Sequence, residues 1–343
     1  MKSLLNTLYV QTQGAYLRLE LETLKVEVEK VVRLQIPLHH LGGLVLFGEV
    51  MTSPALLARC AQDGRAVTWL SRSGRFLARL EGPVSGNVLL RRAQHEALSH
   101  PTRALDIARS LVAGKIKNMR SSVLRSARDT AEVSDHDALK TTAHRLAQEL
   151  ENLPRARDLD EVRGIEGEAT RSYFATFAAM VLGDRQTFAF QGRNRRPPLD
   201  PVNALLSFLY ALLMSDCAAA AQGVGLDPQM GFLHALRPGR PALALDLMEE
   251  LRPILADRLA LTLINRRTLS SKDFDHRPGG AVMLNDAGRK KVVVAYQERK
   301  QEEITHQVVE QKMPLGLVPH IQARLLARYL RGDIPAYLPF LYH

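Results

Sequence analysis

Two cysteines, one tryptophan and a shortage of acids mark this chain of 343 residues by what it has little of. Cys60 and Cys217 form neither a disulfide framework nor a zinc spacing. Both lie in apolar surroundings and read as reduced core thiols, which fits a cytoplasmic protein. The longest apolar run, ALLSFLYALLM at 204–214, is ended by Asp216. It is too short for a bilayer, so it reads as a buried helix and no membrane contact is expected. The opening MKSLLNTLYVQTQG has no apolar core of signal-peptide length. No G-x-S-x-G elbow, no Walker loop and no H-E-x-x-H occurs. A reaction run by a protein nucleophile would need such a motif; one run by a cation and positioned phosphates would not.

Acids number 36 against 46 Lys plus Arg, a net charge of +10, with 46% hydrophobic residues. That is a globular protein with a polyanionic partner, for which nucleic acid is the first candidate.

The expected fold class is α+β, a β-sandwich-like domain over 1–85 that serves dimerisation, followed by a larger all-helical catalytic domain over 86–343. Period-two alternation at Ala15–Leu21 and at 24–32 predicts strands with one wet face. The continuous run Leu44–Phe47 predicts a more buried strand. Ser53-Pro54 is a helix start, stopped at Asp63-Gly64. Gly82, Pro83, Ser85, Gly86 and Asn87 read as a linker. Residues 88–128 read as one basic helix in which Arg120 and Arg125 stand for a phosphate-facing side. A helix is expected near 137–152, with Asp135, His136 and Asp137 solvated. Ile165, Ala169, Tyr173, Phe177 and Met180 fall at helical spacing, with Glu166 taken as lying at that helix's start. Arg193, Arg195 and Arg196, on a stiff loop before Pro197-Pro198, suit phosphate contact. Helices are expected at 202–215, 252–264, from Asn285 to about 305, and at 318–331.

The chain is organised around GFLHALRPGRPALALDLMEE at 231–250. Arg237 to Pro241 break any helix on which His234 sits, and Pro241 can open a new one. Leu243, Leu245, Leu247 and Met248 make that helix mostly buried, so its acids stand out. Asp246 and Glu249 are three apart and share a face. A buried carboxylate pair must be neutralised by protons, cations or metal, and the nearby imidazole makes metal a candidate. Most helical acids are solvated and most lone histidines are not ligands, so these residues alone leave both readings open.

The whole chain resembles the CRISPR-associated adaptation integrase. The resemblance rests on LLNTLYV, GRFLARLEGPVSGNVLLR, GIEGEATRSYF, RPPLDPVNALLSFLY and the GFLH segment, in family order, and looks most like the type I-C branch. It implies a metal-dependent endonuclease that inserts short DNA fragments into a CRISPR array, by 3′-hydroxyl attack on a phosphodiester. It further implies DNA as prespacer and repeat, a homodimer, a small ferredoxin-like CRISPR-associated partner bridging two dimers, and Mg2+ or Mn2+. Carried over, the family glutamate falls on Glu166, the histidine on His234 and the acid pair on Asp246 and Glu249. The second member is aspartate in many relatives and glutamate here. Glu166, His234 and Glu249 are expected as ligands, Asp246 as an acid that positions water or a ligand, and Glu250 in solvent. A stand-alone nuclease on branched DNA and a non-catalytic architectural DNA-binding subunit are the alternatives.

Overall fold

The computed structural model describes residues 6–82, 88–194 and 197–342, so the proposed linker lies mostly outside the described residues. The chain opens with strands β1 (Asn6–Val10), β2 (Tyr16–Glu20), β3 (Thr23–Val28), β4 (Val31–Pro37), β5 (Leu41–Phe47) and β6 (Met51–Thr52). Helix α1 (Pro54–Gln62) precedes β7 (Ala66–Leu70) and β8 (Phe76–Arg79). They form two four-stranded sheets, ordered β1-β5-β7-β8 and β4-β3-β2-β6. The alternation seen in the sequence sets the inner face: Leu17 pairs across from Val26 and Leu19 from Leu24. These side chains meet Leu44, Leu46 and Val67 of the other sheet in one core, with Leu56 and Cys60 of α1. Ser53 caps α1 by accepting from the Leu56 N–H at 3.2 Å.

Strand β5 is buried on both sides. Its Val45 and Phe47, with Leu70 of β7, turn away from the sandwich into the core of the helical part. Phe47 stacks on Phe208 at 5.8 Å. Gly74 allows the β7–β8 turn to press on the same ring, since a Cβ there would lie 2.5 Å from Phe208 Cδ2. The two parts of the molecule thus share packed side chains.

The second part comprises α2 (Val88–Ser99), α3 (Pro101–Asp129), α4 (Val133–Asn152), α5 (Leu159–Ala175), α6 (Pro201–Gly223) and α7 (Ala242–Glu249). A π-helical turn (Arg252–Asp257) leads into α8 (Arg258–Asn265). Strands β9 (Phe274–His276) and β10 (Val282–Leu284) come next, then α9 (Asp286–Gln301), β11 (Glu303–His306), β12 (Gln311–Pro314) and α10 (Val318–Leu330). The class is α+β as expected. The second part is mostly helical, not all-helical, because β9–β10 and β11–β12 are short antiparallel hairpins.

Local departures have plain causes. The segment 88–128 is two helices, because Pro101 disfavours helix at His100, which is extended. Helix α6 runs on past Asp216, whose carboxylate accepts from Tyr296 Oη and Lys300 Nζ, each at 2.9 Å, and so is no stop signal. At 23 residues α6 is long and apolar enough to cross a membrane, but most of it is buried as the core helix of this part. Both cysteines are free and buried, as expected.

Candidate metal centre

Four elements bring the expected residues together. Loop 227–231 is pinned to α2 by Gln94, which donates to Asp227 O and Met230 O and accepts from the Asp227 N–H. From there Gly231 to His234 wrap around the carboxylate of Asp246 on α7. Asp246 accepts from the N–H groups of Phe232 (2.5 Å), Leu233 (3.0 Å) and His234 (3.0 Å). Gly231 permits this wrap, since a Cβ there would lie 2.6 Å from Asp246 Oδ2 and 2.5 Å from Ala242 C. Three converging N–H groups neutralise a carboxylate that is wholly buried.

His234 Nδ1 lies 2.7 Å from Asp246 Oδ1. That bond fixes the ring and leaves Nε2 facing Glu249, whose Oε1 is 3.5 Å away. His234 sits in a turn, not on a helix. Arg163 of α5 holds the turn by donating to Leu233 O at 2.7 Å. Glu166, one turn further along α5, accepts from Thr170 Oγ1 at 2.9 Å.

Glu166 stands in the middle of α5, which corrects its expected place at a helix start. The helix is capped by Asp158, which accepts from the Asp160 and Glu161 N–H groups at 2.9 Å. The helix dipole therefore contributes little at Glu166; a cation does so instead. Lys115 of α3, buried, ion-pairs with Glu166 Oε1 and with Glu249 Oε2, the latter at 2.7 Å. Arg252 completes the charge around Glu249 by pairing with its Oε1. Burial opposes ionisation of Glu249, but the charges of Arg252, Lys115 and His234 outweigh it and hold the carboxyl at about 2.

Lys115 belongs to the basic run 88–128, which reads in the sequence as a phosphate-facing helix; the structure turns it inward. The signal was present, because Leu111, Val112, Lys115 and Met119 share the apolar stripe of α3. Arg252 was missed too, though it lies one helical turn beyond Glu249.

Glu250, expected in solvent, is fully buried. It accepts from Tyr337 Oη and the Phe340 N–H, both at 2.6 Å, and from Gln322 Nε2 at 3.0 Å. Burial pushes it up to about 7 against these bonds. Asn118 of α3 secures the same segment, donating to Glu250 O and Phe340 O at 2.8 Å.

The expected DNA-contact arginines divide. Arg125 is exposed, 3.9 Å from Asp129. Arg120 is half-buried and donates to Ala143 O of α4. Arg193 points inward: it bonds Asn203 Oδ1 and Ser207 Oγ and lies over the Tyr210 ring at 5.2 Å, with Arg252 on that ring at 5.2 Å as well. Arg195 and Arg196 lie outside the described residues. Asp275 and His276 are exposed, and Asp135, expected to be solvated, is partly sheltered by its pairing with Arg185.

Among the described residues, no three His, Cys, Asp or Glu side chains are closed to the spacing of a metal site. The ammonium of Lys115 stands between Glu166 and Glu249. The donor types nevertheless fit a hard divalent cation: two carboxylates share one positive charge, and an imidazole Nε2 lies 3.5 Å from one of them.

Residues 8–298 match the family described as CRISPR associated protein Cas1. The chain belongs to the Cas1 family. It is similar to a protein named CRISPR-associated endonuclease Cas1 1 of Moorella thermoacetica, 60% identical over 342 residues and the full length of both chains. It is also similar to CRISPR-associated endonuclease Cas1 2 of Rhodospirillum rubrum, 52% identical over the full length of both. The solved structure of a Cas1 protein from Thermotoga maritima superposes with a TM-score of 0.83 at 25% identity, covering 97% of this chain and 99% of that one. A casposase bound to integration product shares the fold at TM-score 0.83 and 22% identity, covering 98% and 93%. Identity of this order to Cas1 endonucleases over whole chains makes this protein an enzyme of the same kind, a CRISPR-associated endonuclease.

Proposed function

We propose that this protein joins DNA fragments into a CRISPR array by metal-dependent strand transfer, with Glu166, His234 and Glu249 holding Mg2+ or Mn2+. In this reaction the 3′-hydroxyl of a prespacer attacks a target phosphorus. One P–O bond forms and one breaks, the number of phosphodiesters is conserved, and the hydroxyl proton ends on the departing oxygen. When bound, the cation would lower the pKa of the hydroxyl and shield charge developing on the phosphate. The protein supplies the orientation. Asp246 holds His234 with Nε2 inward, and Arg252 and Lys115 keep Glu249 ionised. The observation that carries this reading is that Glu166 of α5 and Glu249 of α7 share the ammonium of Lys115 while His234 of the 231–234 turn faces Glu249 through Nε2.

The wider assembly belongs to the same proposal. A particle in which a small ferredoxin-like partner bridges two homodimers fits a family whose solved members include a Cas6-RT-Cas1–Cas2 complex. Strand β4, at the edge of its sheet, exposes Val31 and Leu34, an apolar surface suited to a second copy through the β-rich part, residues 1–85. The phosphate-facing side is the exposed face of α3 around Arg125. Two buried thiols suit the cytoplasm, and the matching motifs suit the type I-C branch.

The test is incubation of prespacer DNA bearing 3′-hydroxyls with a repeat-containing plasmid, in Mn2+ and in EDTA. Covalent joining in Mn2+ alone is expected. Nicking without joining favours the stand-alone nuclease, and binding without covalent change the architectural subunit.

A further inference from the structure

We propose that Lys115 is a built-in counter-cation, which keeps the place of the divalent metal in the free protein and is displaced when the metal binds. This rests on the metal-centre reading above and goes beyond it to how the centre is loaded.

Glu166 and Glu249 come from different helices and face the same small volume. With nothing between them their like charges would repel in a medium of low polarity. Lys115 removes that repulsion by pairing with both. Its ammonium is itself buried, so it depends on the two carboxylates as much as they depend on it. A metal ligated by the same oxygens cannot coexist with the ammonium at bonding distance, because the two positive charges would then repel.

The charges facing this volume are those of Lys115 on α3, Glu166 on α5, His234 in its turn, Asp246 and Glu249 on α7 and Arg252 on the π turn. Three carboxylates thus meet two fixed cations before any metal arrives. With Lys115 still in place a divalent ion turns the balance positive, and either departure of the ammonium or an incoming DNA phosphate brings it back to neutral. Lys115 therefore weakens metal binding in the free protein and ties firm loading of the centre to the arrival of a phosphate. The coupling is reciprocal, so bound metal also tightens DNA.

The experiment is calorimetric titration of the whole protein with Mn2+, with and without a DNA duplex, on the wild type, Lys115→Met, Lys115→Gln and Glu249→Gln. Removing one competing charge is expected to tighten Mn2+ binding in both Lys115 variants by about tenfold or more. DNA should strengthen Mn2+ binding in the wild type and do so less in those variants. Thermal midpoints in EDTA should be lower for the Lys115 variants and regain more on Mn2+ addition. In the wild type, the side-chain 15Nζ resonance of Lys115 should move as Mg2+ is added, which needs no variant to fold. Equal or weaker Mn2+ affinity in folded Lys115 variants, or a Lys115 resonance unmoved at saturating Mg2+, overturns the proposal. A wild type whose Mn2+ binding is indifferent to Glu249→Gln overturns the metal-centre reading instead.

Discussion

His234 Nδ1 and Asp246 Oδ1 stand 2.7 Å apart, and the same carboxylate accepts the N–H groups of residues 232, 233 and 234. Every bond that Asp246 makes is as an acceptor, which gives it a task different from that of Glu249 three residues on. In Asp246→Asn an amide NH2 must face an N–H or the imidazole N–H. Such a buried mismatch costs about 1–3 kcal/mol. The turn should loosen, Mn2+ affinity should fall about 10–100-fold, and part of the strand transfer should return at high Mn2+. Thermal unfolding and a Mn2+ titration of activity check both effects; full activity at low Mn2+ would contradict the role.

Glu249 behaves differently because its charge is shared by Lys115, Arg252 and His234. Glu249→Gln should abolish strand transfer at every Mn2+ concentration and leave Lys115 paired with Glu166 alone. Glu249→Asp keeps the charge and shortens the reach, so it should be milder. Recovery of the glutamine variant at high Mn2+ would exchange the roles of Glu249 and Asp246.

Glu250 gives a pH signature. Its value is about 7 in the fold against an ordinary 4.5, so the folded chain holds this proton more tightly than the unfolded one. The resulting contribution to stability is complete below about 4.5 and is lost as pH rises through about 7. Glu250→Gln should remove that slope between pH 4.5 and 7. It should also destabilise by about 1–3 kcal/mol, since an NH2 replaces an oxygen among donor groups. Denaturant titrations at a series of pH values measure both. A silent substitution, the outcome that a solvent-exposed Glu250 would give, would mean that the Tyr337 and Phe340 bonds contribute nothing.

Exposed charges on α3 provide the DNA test. Lys117, Arg125 and Arg128 are exposed, whereas Lys115 and Arg120 are engaged inside the protein. Reversing Arg125 and Arg128 should lower the slope of log affinity against log salt by roughly two, about 0.9 for each phosphate that is no longer neutralised. An unchanged slope would clear this face of a role in DNA binding.

Local signals were legible in the sequence wherever neighbours along the chain decide the outcome. Ser53-Pro54 started a helix, period-two runs became β2 and β3, and the spacing of Asp246 and Glu249 put both on one buried face. Partners distant in sequence were not legible. Glu250 is buried because residues 337–340 fold back over α7, and nothing near position 250 encodes that. Lys115 and Arg193 were read as surface because charge counts do not say which way a long side chain turns. Helix ends were legible only in part: α5 begins at the Asp158 cap, a start signal outweighed in the sequence by the glycines beside Glu166.

The pairing of α3, α5 and α7 through Lys115, Glu166 and Glu249 also has a meaning in time. A chain leaving the ribosome completes its two four-stranded sheets, α3 and α5 long before α7 emerges, and domains fold roughly as they appear. Until then Lys115 has one carboxylate to meet, and Asp246 and Glu249 do not yet exist. The network under Glu250 closes later still, when Phe340 arrives. A nascent chain that has completed α3 and α5 therefore still lacks half of this charge network until α7 follows.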